Sequence, residues 1–381
     1  MIHNHEKTLT NVEQKIRRSD INESYKKLLF KFENRMFAEG LKTVRVMKYL
    51  SQLYTLTTRW ELKLENPSTS NLEKVVTNIE RSDLSEWTKH DYKIAIRRYF
   101  RWYEGNNEDP EYVKWIRIKR PKRNMPYELP TESEIMRMIE NRKNVRDRAI
   151  IATFYDAGGR AAEIGELLIG HVEPDKYGAV LQVDGKTGRR RIRVTFCVPY
   201  LMEWISIHPF RKNSHAPLWI TLAGKDVNKP MKHAALSAVL KRAAKRAGIE
   251  KRIYLHMLRH ARSTELAKHL TQAQMEKHLG WVNGSNMPAT YIHLSGGDVD
   301  NAILNMYGIK EEKKEPDLKT ITCPRCKFNN GPTYEYCSQC GAALNIETAI
   351  NADEKREELA EYVMDLVEQD PRIMKLFRNF K

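Results

Sequence analysis

Apolar side chains recur every three or four positions through the first hundred residues, which is the spacing of one buried helical face. The first series is closed by Gly40, a residue typical of helix ends, and Ser70 is predicted to start the third helix. Short loops separate the series, so residues 20–104 are predicted to form a bundle of four helices. The four series include, in order, Tyr25, Val46, Leu72 and Ala95.

The helical periodicity fades over residues 105–130, where several prolines appear. This composition is typical of a linker between two domains. A basic strap of this kind can follow a phosphate backbone, although many linkers are charged only for solubility. The basic residues of the segment are Lys114, Arg117, Lys119, Arg120, Lys122 and Arg123.

A second domain is predicted from Thr131, which forms a capping-box pattern with Glu134 three residues later. Helical periodicity dominates up to residue 310, with one exception. Two β-rich segments between residues 178 and 196 flank Lys186, as in a hairpin. A further helix is expected from Met231 to the residue before Gly248. The chain is therefore predicted to be mainly α with a small β-sheet.

The C-terminal part is expected to be separate from the second domain. It contains a cysteine-rich segment at residues 318–345 and a charged segment at 352–378 with apolar residues at helical spacing. The latter is predicted to be an amphipathic helix that packs on its own chain or on a neighbour's. Either element is a candidate for contacting DNA or a neighbouring protomer.

Composition narrows the class of protein. The chain has 381 residues, of which 41% are hydrophobic, so it can build two or three domain cores. No run of 18 apolar residues occurs, and the N-terminal segment lacks the apolar run of a signal peptide. We therefore expect no membrane partner and a cytoplasmic location. The small number of cysteines, 5, also favours a reducing compartment.

The charge balance points to a polyanionic partner. The formal net charge is +16, and residues 341–381 are acidic, so the excess of basic residues lies in the rest of the chain. Such a surface gains affinity for nucleic acid by releasing bound counterions. Charge alone leaves ribosomal, membrane-surface and merely soluble proteins as alternatives.

Four cysteines form two C-x-x-C pairs separated by ten residues. Each pair presents two thiolates along one edge of a tetrahedron, and two pairs complete a four-thiolate zinc site. We predict a structural zinc ion, because so short a segment could scarcely fold without one. Cys197 stands apart in an apolar context and is expected to be a buried core residue. The predicted zinc ligands are Cys323, Cys326, Cys337 and Cys340.

Five fragments of the second domain, each weak alone, occur in a distinctive order. In this order and spacing they resemble the tyrosine recombinases, also called the phage integrase family, and particularly archaeal-type integrases with a C-terminal zinc ribbon. The resemblance covers residues 20–308 and is strongest over 146–308. Trp281 stands where many members have His, a variant that the family also contains. The fragments are Gly158-Gly-Arg160-Ala-Ala-Glu163, Gly185-Lys186-Thr-Gly, His256-Met-Leu-Arg259-His260, Leu279-Gly-Trp281 and Ala289-Thr-Tyr291-Ile-His293.

The resemblance implies a helical core-binding domain that closes with a mixed α/β catalytic domain around duplex DNA. It also implies the chemistry. Two guanidinium groups, on Arg160 and Arg259, would neutralise a phosphodiester, because a guanidinium fork matches two oxygens at once. Tyr291 would be the nucleophile, forming a 3′-phosphotyrosyl link. Its phenol, with an ordinary pKa near 10, needs assistance to lose its proton.

The remaining site residues follow from the same resemblance. His256 is the candidate for assisting the phenol, Lys186 would protonate the leaving 5′ oxygen, and Trp281 would donate its indole N–H beside the phosphate. Glu163 is expected to support the site without reacting. We expect His260 and His293 to have structural or hydrogen-bonding roles, and Tyr307 to pack. The strand after Lys186 is expected either to grip phosphates or to face solvent through Arg189, Arg190, Arg191 and Arg193.

The resulting hypothesis is a site-specific DNA recombinase that acts as a homotetramer on two duplex sites. The cleavage chemistry would need no metal or nucleotide cofactor, because the covalent link conserves the energy of the broken bond. One alternative is a type IB topoisomerase-like enzyme, which shares the chemistry but relaxes supercoils. Another is a DNA-binding regulator that kept the fold and lost cleavage.

Overall fold

The computed structural model describes residues 2, 4–105, 107–121, 128–142, 144–185, 188–292, 303–304, 306–307 and 318–369. The chain divides into two compact units, one of residues 3–125 and one of residues 1–2 with 126–381. Helices predominate and the described strands form small sheets, which confirms the predicted mainly α class. Within the described ranges, no helix is both long enough and apolar enough to cross a bilayer.

The first unit is a helical bundle around one apolar core. It includes a helix that the sequence analysis missed, α1, which lies before residue 20 and buries Ile16. The predicted start of the third helix at Ser70 was wrong, because the side chain of Ser68 caps it. The end at Gly40, in the left-handed conformation, is confirmed. The helices are α1 (His5–Arg18), α2 (Glu23–Ala38), α3 (Thr43–Trp60), α4 (Thr69–Arg81), α5 (Glu86–Tyr103) and α6 (Glu111–Lys114).

Part of the predicted linker belongs to this bundle. Val113 and Ile116 are buried in its core, so the segment is packed well beyond residue 105. Asp109, also buried, anchors it by accepting hydrogen bonds from Arg97 and Arg101 of α5. The basic face of α5 is thus paired with acidic groups of its own unit.

The second unit begins with the predicted capping box, which is confirmed: the Thr131 hydroxyl accepts from Glu134 N–H, and the Glu134 carboxylate accepts from Thr131 N–H. Its elements are α7 (Glu132–Glu140), α8 (Val145–Ala157), α9 (Ala161–Gly165), β1 (Val172–Asp175), β2 (Gly178–Gly185), β3 (Gly188–Val194), α10 (Val198–Ser206), α11 (His233–Arg246), α12 (Leu255–Ala267), α13 (Gln272–Leu279), α14 (Met287–Ile292), β4 (Ile321–Thr322), β5 (Asn329–Asn330) and α15 (Ile346–Gln369).

Helix α8 is the centre of this unit. Its residues are almost all buried, and α7, α10 and α12 pack around it. A helix that is covered on every side must pair the charges that it buries, and α8 does so: Asp147 accepts hydrogen bonds from Arg142 and Arg146, and Asp156 accepts from Arg262. The predicted hairpin is confirmed as β2 and β3, which pair antiparallel and end with Gly185 opposite Gly188. Strand β1, which was not predicted, extends the sheet in the order β1-β2-β3.

The cysteine-rich segment is not separate from this unit, contrary to expectation. The Tyr334 ring packs edge-on against Tyr200 of α10, and its hydroxyl donates to the Glu203 carboxylate at 2.8 Å. Arg148 of α8 donates to the same carboxylate. An aromatic contact and a shared carboxylate therefore hold the segment against α10.

Helix α15 starts at Ile346, six residues before the predicted position 352, and residues 370–378 of the prediction lie outside the described residues. Leu359 and Tyr362 of this helix are exposed. Contact of α15 or of the cysteine-rich segment with DNA or a neighbouring protomer stays a prediction.

Candidate active site

The first site arginine stands on a glycine turn. Helix α8 ends at Gly158, which adopts a left-handed conformation with φ 57°, and Arg160 then caps α9. Gly159 has no room for a side chain, because an added Cβ would lie 2.7 Å from a carbon of Ile164. The sharp turn brings Arg160 back over the end of α13, where Nη2 donates to the carbonyl of Gly280 at 2.7 Å.

Glu163 is a buried carboxylate saturated by guanidinium groups. One oxygen accepts from Arg160 Nη1 and Arg190 Nη1, and the other accepts from Arg160 N–H and Arg190 Nη2, all within 2.7–2.8 Å. Burial alone would raise the pKa of Glu163, but the hydrogen bonds from Arg190 and from the Arg160 backbone outweigh burial and lower that pKa to about 2. Glu163 is therefore a fixed anion, as expected of a supporting residue.

Arg190 departs from the expectation that its strand grips phosphates or faces solvent. Its side chain is only 10% exposed and is committed to Glu163. Residues alternate between the faces of a strand, and Arg190 shares the inward face with Ile192 and Val194. The exposed residues on the other face are Arg189, Arg191 and Arg193.

Helix α12 supplies the second site arginine and two histidines. Arg259 is buried, with Nη1 donating to the Gly158 carbonyl and Nη2 to the Leu279 carbonyl, both at 2.9 Å. Burial, aided by the positive charge of Arg160, lowers the pKa of Arg259 to about 10. The guanidinium therefore remains charged at neutral pH while lying in the protein interior. The rings of His256 and His260, one turn apart, meet edge to face with centroids 4.4 Å apart.

Tyr291 of α14 lies between Trp281 and His260. Its ring stacks on Trp281 with centroids 5.4 Å apart and planes 12° from parallel. Its hydroxyl lies 2.7 Å from His260 Nδ1, a hydrogen-bonding distance. The Arg259 guanidinium lies over the Trp281 ring, 5.7 Å from its centroid. The phenol is thus held by an imidazole and an indole, and it interacts electrostatically with the Arg259 guanidinium. Only 1% of Tyr291 is exposed.

The structure brings Arg160, Arg259, Trp281 and Tyr291 into one cluster, with His256 joined to it through His260. Lys186 and His293 lie outside the described residues. Tyr307 was expected to pack, which is wrong, because it is 72% exposed.

Sequence reasoning underestimated two residues. His260 contacts the phenol directly, and its position one helical turn after His256 was the available signal. Arg190 could have been found from its alternation with two apolar residues along β3.

The four cysteines predicted to bind zinc lie together, with their sulfur atoms all within 4.8 Å of one another. The Sγ atoms of Cys323 and Cys340 are 3.7 Å apart, and those of Cys326 and Cys337 are 3.5 Å apart. These distances are too long for disulfides, whose sulfurs lie about 2.05 Å apart. They fit a tetrahedral zinc site, in which Zn–S bonds of about 2.3 Å place the sulfurs about 3.8 Å apart. Cys197 is buried in the core, as predicted.

Comparison with known proteins identifies the domain that carries this cluster. Residues 130–296 match the sequence model of the phage integrase family. This domain belongs to the tyrosine recombinase family. The predicted resemblance is therefore confirmed for the part of the chain that contains the site.

Two relatives are similar to this chain over part of its length. Transposase A from transposon Tn554 of Staphylococcus aureus is 26% identical over 245 residues, which cover 61% of this chain and 67% of the transposase. Tyrosine recombinase XerA from Pyrococcus furiosus is 28% identical over 177 residues, which cover 45% of this chain and 57% of XerA.

A solved structure shares the fold of this chain. A lambda integrase dimer bound to a COC′ core site superposes with a TM-score of 0.57 and 16% sequence identity, covering 76% of this chain and 79% of the integrase.

Proposed function

We propose that the protein is a site-specific DNA recombinase that cuts and rejoins duplex DNA through a covalent link to Tyr291. The observation that carries the proposal is the contact between the Tyr291 hydroxyl and His260 Nδ1, beside Trp281 and Arg259. A phenol becomes a nucleophile at neutral pH when a neighbouring base accepts its proton and nearby cations stabilise the anion. This cluster supplies both.

In the cleavage step, the Tyr291 oxygen attacks a DNA phosphorus and the bond from that phosphorus to the 5′ oxygen breaks. We assign the phenol proton to His260, because its Nδ1 already faces the hydroxyl. His256 stays a proposed participant in that transfer, since its ring lies against His260. Lys186 is the proposed donor of a proton to the departing 5′ oxygen.

Arg160 and Arg259 are proposed to bind the non-bridging oxygens of the same phosphate. Both guanidinium groups are held by backbone carbonyls near the end of α13, so they are positioned before DNA arrives. Trp281, which lies beneath Arg259, is proposed to donate its indole N–H to the phosphate. Because Tyr291 is buried, DNA binding must uncover its ring before attack.

The product of cleavage is a 3′-phosphotyrosyl bond and a free 5′ hydroxyl. Attack on this bond by the 5′ hydroxyl of another strand expels Tyr291 and joins the two DNAs. The bond conserves the energy of the original phosphodiester, so the chemistry calls for neither a nucleotide nor a metal cofactor. We propose that four protomers assemble on two duplex sites, in the compartment that holds the chromosome. The lambda integrase neighbour, which is a dimer on a core site, supports the part of this proposal in which more than one protomer binds DNA.

The four cysteines are proposed to hold a structural zinc ion. The sulfur distances and the all-thiolate donor set support this assignment. When bound, the ion would join the two C-x-x-C pairs. Tyr334, between these pairs in the sequence, would then be fixed against α10.

The test uses the full-length protein and a duplex pool selected from genomic DNA by binding, then labelled and nicked. The proposal expects a protein–DNA adduct that survives denaturant and disappears in Tyr291→Phe. Tyr307→Phe is the matched control, because Tyr307 is exposed and should leave the adduct unchanged. Abundant adduct in Tyr291→Phe would refute the assigned nucleophile.

The same protein and DNA also distinguish a recombinase from the two alternative functions. Recombination predicts that two cleaved duplexes exchange strands, whereas a topoisomerase-like enzyme would relax supercoiled plasmid without sequence preference. Site protection with no covalent product from the unmodified protein would indicate a DNA-binding regulator.

A further inference from the structure

Arg190 makes more contacts at the site than its position on a hairpin strand suggests. Its guanidinium donates two hydrogen bonds of 2.8 Å to the Glu163 carboxylate. Its Nε donates to the His278 carbonyl at 3.1 Å, and Nη2 lies 3.4 Å from the Leu279 carbonyl. The residue therefore joins β3, the start of α9 and the end of α13.

Two glycines lie directly against this ion pair. A Cβ on Gly280 would lie 2.6 Å from the Arg190 guanidinium carbon, and a Cβ on Gly185 would lie 2.2 Å from a Glu163 oxygen. Neither position can accept a side chain unless the pair moves. Gly280 precedes Trp281 in the chain, and Gly185 precedes Lys186.

The pair thus touches the backbone beside three proposed site residues. Glu163 holds the backbone and side chain of Arg160, Gly185 leads into Lys186, and Gly280 leads into Trp281. These residues come from distant parts of the sequence, so only tertiary contacts can fix their positions relative to one another.

We propose that Arg190 is a positioning residue of the recombinase, which fixes Arg160, Gly185 and the Gly280–Trp281 turn relative to one another through Glu163. This inference rests on the proposed function, because these residues matter only if the cluster handles a phosphate. Arg190 does not bind DNA itself in this assignment, since its side chain is almost fully buried. Lysine cannot replace it, because only a planar guanidinium donates to both carboxylate oxygens and to backbone carbonyls together.

The experiment compares Arg190→Gln with Arg191→Gln in the full-length protein. Both changes remove one positive charge from β3, but Arg191 is exposed. Three quantities are measured: amide hydrogen exchange over residues 277–285, DNA affinity, and the single-turnover rate of adduct formation at saturating DNA, well below the melting temperature of each variant.

In Arg190→Gln, the backbone amides of residues 277–285 are expected to exchange their hydrogens faster. The variant should also form adduct about 100-fold more slowly, because a small misplacement of reacting groups typically lowers the rate by this factor. Its DNA affinity should equal that of the unmodified protein. A merely stabilising role would leave the rate intact below the melting temperature. Equal exchange and equal rates in the two variants would overturn the proposal, and so would a loss confined to DNA affinity, which would make Arg190 a phosphate contact.

A second variant covers the case in which Arg190→Gln does not fold. Arg190→Lys keeps the charge but not the fork, so it should show the same slow cleavage with unchanged DNA affinity. A normal rate in Arg190→Lys would sink the assignment. The exchange measurement needs no activity, so if the unmodified protein forms no adduct, the proposed function fails while the effect of Arg190 on the Gly280–Trp281 turn is still decided.

Discussion

The Nδ1 atom of His260 lies 2.7 Å from the phenolic oxygen of Tyr291. The same phenol ring is stacked on Trp281, so both its polar end and its face are held. A hydroxyl that is already hydrogen-bonded to an imidazole needs little rearrangement to transfer its proton. The contact therefore singles out His260 as the residue to test first.

Replacing His260 with Ala should slow adduct formation by about 100-fold or more, the usual contribution of a general base. His260→Gln should retain a hydrogen bond to Tyr291 without accepting its proton, so we expect a comparable loss of rate with near-normal stability. The measurement is a single-turnover cleavage rate as a function of pH. His269→Ala is the control, because His269 is exposed and lies just after the end of α12. A normal rate in His260→Gln would assign His260 to packing alone.

Gly280→Ala should destabilise the protein more than Gly284→Ala does. Both glycines adopt left-handed backbone conformations, with φ 65° and 74°, so alanine carries a similar backbone strain at each. Only at Gly280 does the added Cβ meet the Arg190 guanidinium, whereas at Gly284 it meets nothing within 4 Å. We expect an additional loss of about 1–3 kcal/mol at Gly280, from overpacking. The measurement is denaturant unfolding, and equal losses would show that the Arg190 contact yields at little cost.

His278 should make the protein lose stability as the pH falls from about 6.5 to about 4. Burial, aided by the positive charge of Arg262, lowers the pKa of His278 from 6.5 to about 4. In that range His278 binds a proton in the unfolded chain but not in the folded protein, so the free energy of unfolding decreases by up to about 3 kcal/mol as the pH falls. Above pH 6.5 the contribution of His278 to the free energy of unfolding does not change with pH.

The check is the free energy of unfolding at several pH values in the unmodified protein and in His278→Gln. The variant should lack this part of the slope between pH 6.5 and 4. It should retain the further loss below pH 4.5, where Glu163, with its pKa lowered to about 2, begins to be protonated only in the unfolded chain. Identical slopes in both proteins would contradict the assignment.

Removing zinc with a chelator should lower the melting temperature of the second unit and release the cysteine-rich segment from α10. Metal analysis should find one zinc per chain, lost in Cys337→Ser. An unchanged melting temperature after complete zinc removal would argue against a structural ion.

Tyr334→Phe removes the hydrogen bond to Glu203 and should lower the free energy of unfolding by about 1–3 kcal/mol, because that acceptor is charged. Tyr336→Phe is the matched control, since Tyr336 is exposed in the same segment.

Much of the fold could be predicted because its signals are local. The capping box at Thr131, the left-handed end at Gly40 and the hairpin of β2 and β3 each depend on residues close in sequence. Helix α1 and strand β1 were missed, since their apolar positions are few and their stability comes from packing. The part of the predicted linker that contains Val113 was also misjudged, because a short apolar segment looks the same whether or not a core receives it.

The sequence by itself determined which chemical groups this protein has: an ordered set of Arg, His, Trp and Tyr residues and four cysteines at zinc-binding spacing. The tertiary structure decided which groups touch. It placed His260 on the Tyr291 hydroxyl, turned Arg190 inward to Glu163 and seated Tyr334 on α10. The reason is physical: residue spacing fixes the face of a helix or strand, whereas the partner of a buried polar group is set by whichever distant element packs against that face.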